Sequence, residues 1–197
     1  ELTVMRRQPQ QFDSDGINVQ QFWTTSADGE RIPYFHVGKN ATPDTPTLVY
    51  AYGGFGIPEL PHYLGSVGKY WLEEGNAFVL ANIRGGGEFG PRWHQAAQGI
   101  SKHKSVDDLL AVVRDLSERG MSSPEHIGLQ GGSNGGLITA AAFVREPQSI
   151  GALVCEVPLT DMIRYPLLSA GASWTDEYGN PQQYEVCKRW LGALSPY

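Results

Sequence analysis

The segment Gly131-Gly132-Ser133-Asn134-Gly135-Gly136 has the clearest chemical meaning in this chain. Gly131, Ser133 and Gly135 satisfy the spacing G-x-S-x-G, in which a strand turns sharply into a helix and holds a serine hydroxyl clear of the sheet. The turn is strained and needs small neighbours so that the serine hydroxyl can stand clear of the sheet. The chemistry implied is attack on an acyl carbon, with Ser133 as nucleophile. With 24 glycines in 197 residues the pattern alone is only moderately specific, and a glycine-rich turn without catalysis is the alternative. Context favours the nucleophile: apolar Ile127–Gln130 precedes it, and a stretch rich in alanine and leucine follows.

A nucleophilic serine also needs donors aimed at the oxyanion that develops on the substrate. The backbone N–H of Asn134, opening the helix after the nucleophile, is one candidate. The second belongs on the loop after the third strand, Tyr50-Ala51-Tyr52-Gly53-Gly54-Phe55-Gly56. There glycine permits close approach, and a tyrosine hydroxyl is a neutral donor at pH 7. In isolation this loop reads as ordinary aromatic packing.

The elements that must hold these residues follow from the hydrophobic pattern. Two alternating stretches within residues 17–37, joined at Ala27-Asp28-Gly29, predict a hairpin. Apolar runs at Thr47–Ala51, Ala77–Ile83, Ile127–Gln130 and Ala152–Val157 then alternate with helical stretches at Leu64–Glu74, Val106–Arg119, Asn134–Arg145, Asp161–Leu168 and Gln182–Leu191. That alternation predicts one α/β domain with a mostly parallel, doubly wound sheet covered on both faces. Asp107 and Asp108 read as electrostatics of a helix start.

Composition narrows the partners. Fifteen basic against 21 acidic side chains give a net charge of −6, so there is no basic footprint for nucleic acid or an anionic membrane. No apolar run reaches 18 residues, and a spanning helix is not expected. The five histidines, His36, His62, His94, His103 and His126, have no metal-ligand spacing and read as surface or packing residues. Arg84 and Glu88 flank a glycine run without a phosphate-loop ending, which points to a structural loop. Cys155 and Cys187 read as structural free thiols. No cofactor is implied.

Four blocks together resemble the prolyl oligopeptidase family: Tyr52-Gly53-Gly54-Phe55, Ala81-Asn82-Ile83-Arg84-Gly85-Gly86-Gly87-Glu88-Phe89-Gly90 with Trp93-His94, the serine block, and Trp174-Thr175-Asp176-Glu177-Tyr178-Gly179. They fall in the family's order and spacing, and the likeness runs from about Gln20 to Tyr197. It implies an α/β-hydrolase catalytic domain and a serine peptidase cutting short peptides after proline. It makes Ser133 the acylated nucleophile, with the Tyr52 hydroxyl and the Asn134 amide as the oxyanion hole. Phe55, Leu159, Trp174 and Tyr178 become the pocket for the residue before the cut. A flat, apolar proline ring suits aromatic walls.

The resemblance breaks at the triad, whose acid and base follow the nucleophile in this fold. No histidine follows Ser133, and only Asp161 and Asp176 are aspartates beyond it. The expectation is a partial domain, residues 1–197, ending before the last strands, with the family's propeller, its triad Asp and His and a substrate-binding arginine outside it. On its own it should be nearly inert, and it should self-associate or pair with the rest of its chain through the open edge at Ala152–Val157. An esterase or aminopeptidase-like acyl hydrolase of the same fold, or a pseudoenzyme lacking the base, are the competing readings. The chain opens at Glu1 without an initiator Met or signal-like segment, so its true start is expected upstream. The expected compartment is the cytoplasm, with periplasmic or secreted alternatives open.

Overall fold

The computed structural model of the chain describes residues 3–197. Six strands form one mixed sheet: β1 (Asn18–Thr25), β2 (Arg31–Gly38), β3 (Thr47–Ala51), β4 (Ala77–Ala81), β5 (Ile127–Gly132) and β6 (Ala152–Glu156). Their spatial order is β1-β2-β4-β3-β5-β6, antiparallel for β1–β2 and β2–β4 and parallel for the rest. The turn at Ala27-Asp28-Gly29 closes the first hairpin, where Gly29 takes a φ of 88° and the Ser26 N–H donates to the Glu30 carbonyl at 2.8 Å.

The parallel strands β3 and β5 are paired in register, Tyr50 opposite Gln130. Their carboxyl ends, and hence the Tyr52 loop and the serine turn, therefore leave the sheet side by side. This is the end of an open α/β sheet at which ligands bind.

Both faces of the sheet are covered, and the helices met along the chain up to β6 are α1 (Gly65–Val67), α2 (Pro91–Gln95), α3 (His103–Glu118) and α4 (Asn134–Arg145). Tyr34, Val49, Ala51, Val79 and Leu129 face α3 and α4, while Phe35, Val37, Leu48, Phe78 and Leu80 face Leu64, Val67 and Trp71. Helix α3 shows why its sequence is helical despite two β-branched residues at its centre. Leu109, Leu110, Val112, Val113 and Leu116 are each at most 1% exposed. Burying each such side chain contributes about 1.5–3 kcal/mol, whereas each valine costs under about 0.7 kcal/mol in helix propensity. Packing decides the element.

Several boundaries differ from the sequence reading. Residues 161–168 are not an α-helix: the Asp161 carboxylate accepts from the Ile163 and Arg164 amides, and Pro166 has no N–H, leaving a single 3-10 turn at Tyr165–Leu167. The last helix begins after the turn at Asn180, spanning Glu185–Leu194 rather than starting at Gln182. The region of Leu64–Glu74 is a short helical turn, Gly65–Val67, that widens into a π turn at Gly68–Leu72. Short helices at Pro91–Gln95 and Thr175–Tyr178 were not expected.

Asp107 and Asp108 are also corrected. Helix α3 starts at His103, so neither lies in its first turn. Asp108 is fully buried and paired with Arg84, itself 3% exposed, which also reaches Asp28. Arg84 thus ties the loop after β4 to the first hairpin and α3, the structural role expected of it. Asp107 pairs with Arg145 on α4. Cys155 and Cys187 are free and partly buried.

Among the described residues no helix is long and apolar enough to cross a membrane.

Candidate active site

Strand β5 alternates buried and half-buried residues up to Gly132 and then turns at Ser133. Ser133 has φ 54° and ψ −116°, a conformation that costs a side-chain-bearing residue about 1–3 kcal/mol and persists only where its surroundings impose it. Here they do. The Ser133 N–H donates to the Glu156 carbonyl at the end of β6 (2.8 Å), and its carbonyl accepts from the Leu137 N–H in the first turn of α4 (3.1 Å). The flanking glycines are required by contact: a Cβ on Gly131 would strike the Gly135 carbonyl, and one on Gly135 would strike the carbonyl of Ala51. Because the Ala51–Tyr52 backbone lies against Gly135, the loop expected to supply a donor touches the serine turn directly.

Asn134 links the two. Its side chain is fully buried, with Nδ2 donating to the Tyr52 carbonyl at 2.6 Å and Oδ1 accepting from the Tyr178 hydroxyl at 2.7 Å. The Asn134 side chain is therefore committed to holding the loop. Its backbone N–H, at the first position of α4, belongs to the group of amides that a helix leaves without an internal acceptor, beside the positive end of the helix dipole. An anion next to Ser133 would find it.

Tyr52 is half-buried, and burial first, then the charges of Glu177 and Glu59, push its hydroxyl above the ordinary tyrosine range. A raised value keeps the proton on oxygen below the ordinary titration near pH 10 and past it, so the group stays a donor through neutral and moderately alkaline pH.

Ser133 borders a cleft of about 370 Å³. Leu159 and Trp174, two of the four expected pocket residues, line it together with Pro158, Tyr165 and Leu168. Phe55 and Tyr178 are not among the residues that line it, and Tyr178 packs behind the lining residue Tyr165. The two rings pack edge to face on each other at 5.7 Å, and Tyr178 is fully buried. Tyr178 thus meets the site through its hydroxyl and Asn134. A more apolar hollow of about 330 Å³ lies between Phe12, Tyr63 and the other face of the sheet, away from the serine.

Beside the site, Glu177 and Lys102 have no role in the sequence reading, and His94 is read there only as a surface or packing residue. Glu177 is 3% exposed and accepts hydrogen bonds from the fully buried Lys102 (2.6 Å) and from the Phe55 amide (3.1 Å). Its other oxygen lies 2.6 Å from Nε2 of His94. Burial alone would raise the Glu177 carboxyl, but Lys102, His94 and the Phe55 amide hold it below the usual carboxylate range. Glu177 sits inside the Trp174–Tyr178 block and could have been marked from that. Lys102 carries no such signal, since its partner is 75 residues away. Among the described residues no group of three or more His, Cys, Asp or Glu side chains is arranged to hold a metal.

A family model described as the prolyl oligopeptidase family matches residues 64–197. An uncharacterized peptidase of Sinorhizobium fredii is 46% identical over 192 residues, covering 96% of this chain and 26% of that protein. A prolyl endopeptidase of Elizabethkingia meningoseptica is 33% identical over 196 residues, covering 98% of this chain and 28% of the relative. The solved structure of a post-proline cleaving enzyme from Rickettsia typhi superposes with a TM-score of 0.95 at 42% identity, covering all of this chain and 29% of that one. The chain thus spans between a quarter and a third of the length of these relatives.

Proposed function

Because this chain belongs to the prolyl oligopeptidase family, we propose that it carries the nucleophile, oxyanion hole and proline pocket of a full-length serine peptidase that cleaves short peptides after proline. The observation that carries the reading is Ser133, at φ 54° in the turn between β5 and α4, bordering the cleft lined by Leu159 and Trp174.

In the proposed reaction Ser133 Oγ attacks the carbonyl carbon of a proline residue seated against Trp174 and Leu159. A base takes the hydroxyl proton as the new C–O bond forms, and the carbonyl oxygen becomes an oxyanion. The Asn134 amide and the Tyr52 hydroxyl donate to that oxygen, in a site whose buried dipoles need no reorganisation. Collapse expels the amine, which takes the proton, and leaves an acyl group on Ser133 that water then removes. We assign the base and its carboxylate partner to the part of the protein outside these residues, since every histidine here precedes Ser133 in sequence and His94 is engaged by Glu177. The compartment we propose is the cytoplasm.

The test is selectivity in the full-length protein. A prolyl peptide anilide should be cleaved with kcat/KM about 10–200-fold above its alanyl counterpart, the range that apolar pocket fit supplies. Rapid hydrolysis of aryl esters with no cleavage of the prolyl peptide would instead make it an esterase of the same fold.

We further propose that the 197 residues alone associate. Strand β6 is the last in the sheet, its outer edge has no partner among the described residues, and Val154 and the neighbouring Val157 are 46% and 83% exposed. Along that edge Ala152–Cys155 carry no charge and no proline, and such a stretch is a template for pairing. Light scattering on the 197-residue chain should give at least a dimer mass, or intact mass should show a retained partner fragment; a monodisperse monomer would overturn this.

A further inference from the structure

The reaction proposed above leaves unused a buried ion pair, that of Lys102 and Glu177. Lys102 ends the 3-10 turn Gly99–Lys102 that leads into α3, and Glu177 lies in the short helix Thr175–Tyr178. They meet on the Tyr52 loop. Lys102 Nζ donates to the Gly53 carbonyl at 3.1 Å, and Glu177 Oε1 accepts from the Phe55 amide at 3.1 Å. Between these two anchor points the backbone is in an unusual state: Gly53 has φ 63° and Phe55, which carries a side chain, has φ 57°. Phe55 would leave that conformation if nothing held it.

A buried ion pair is a weak device for stability, because desolvating two charges offsets most of their attraction, and apolar residues of similar size often do as well. What apolar residues would not do is grip a carbonyl and an amide two residues apart. The Lys102 ammonium also lies 5.5 Å from the centre of the Tyr178 ring, and the Tyr178 hydroxyl holds Asn134, whose other end holds the Tyr52 carbonyl. The loop is thus fixed at three anchor points within four residues, Tyr52, Gly53 and Phe55, by residues from three separate parts of the chain.

We propose that Lys102 and Glu177 are positioning residues: a buried ionic clamp that sets the backbone of Gly53 and Phe55, and through it places the Tyr52 hydroxyl at the oxyanion. The clamp also ties the oxyanion loop to the Trp174–Tyr178 segment, so the pocket for proline and the hole for the oxyanion are registered against each other by one carboxylate. This rests on the reading of Ser133 and Tyr52 given above, and the experiment separates the two.

The full-length protein is compared with its Lys102→Met/Glu177→Gln variant, which removes both charges so that neither is left buried alone. Thermal unfolding and labelling of Ser133 by a fluorophosphonate are recorded together with steady-state kinetics on a prolyl peptide anilide. The expected result is a fall in kcat of about 10²-fold, the size seen when a reacting group is misplaced by about 1 Å, with KM changed by less than about threefold. In a Tyr52→Phe background the same double change should lower kcat by less than about threefold, since the hydroxyl it places is already gone. If the double variant does not fold, Glu177→Asp, which keeps both charges and shortens the arm by one methylene, is read by the same comparison. An unchanged kcat, or an equal loss with and without the Tyr52 hydroxyl, overturns the clamp. Absence of any label on Ser133 in the wild-type protein overturns the underlying reading instead.

Discussion

Ser133→Ala in the full-length protein lowers kcat on a prolyl peptide by about 10⁶-fold, the loss that follows removal of a serine nucleophile from a complete triad. What survives is the smaller acceleration due to substrate binding and the oxyanion hole, about 10³–10⁴ over water. The fold should not suffer, because both hydrogen bonds that fix residue 133 are made by its backbone, to Glu156 and from Leu137, and alanine keeps them. Alanine also keeps the Cβ, so the strain at φ 54° is the same in both proteins. KM should stay within about threefold, since the pocket residues Leu159 and Trp174 are untouched. Steady-state kinetics with the wild-type level in the preparation measured by fluorophosphonate titration gives the answer. A variant within about tenfold of wild-type kcat would remove Ser133 from the chemistry.

The parts of this site that could be read from the sequence are those specified by local rules. The serine turn is one: the steric demands at Gly131 and Gly135 come from backbone a few residues away or from the adjacent strand β3, and only glycine meets them. The six strands are another, since each is a short apolar or alternating run whose period is a local property. The boundaries that moved did so for local reasons that outweighed the pattern: the side chain of Asp161 capturing two amides, and the missing N–H of Pro166. What could not be read is set by tertiary contact. Asp108 looks like a helix-start carboxylate until Arg84 is seen against it, 24 residues earlier in the chain. Lys102 has the composition of a surface lysine, yet it is fully buried because Glu177 and the Gly53 carbonyl offset its desolvation. Tyr178 is aromatic in a block of pocket residues, and the sequence does not distinguish a ring that lines the cleft from one that anchors Asn134 by its hydroxyl.

Tyr52→Phe should lower kcat by about 10²–10³-fold, the loss found when one oxyanion donor is removed, while KM changes little. The substitution isolates the hydroxyl. The Tyr52 group that Asn134 holds is its carbonyl, so the loop keeps its anchor when the side chain loses only an oxygen. Glu177 and Lys102 likewise grip the backbone of Gly53 and Phe55 and not the ring of Tyr52. The pH dependence carries a sign. Burial and the nearby carboxylates raise the Tyr52 hydroxyl above the ordinary tyrosine value, so the donor is present at every pH below that value and is lost only at higher pH. In wild type, kcat should therefore show no alkaline decline from this group up to about pH 10. The ratio of wild-type to variant kcat should be constant from about pH 7 to 10, because no ionisation of Tyr52 intervenes. The measurement is kcat against pH for both proteins on one prolyl peptide anilide. Equal kcat for the two excludes the hydroxyl from the oxyanion hole. A ratio that collapses toward one between pH 8 and 9 would mean that Tyr52 ionises early, and that its surroundings favour the phenolate instead of opposing it.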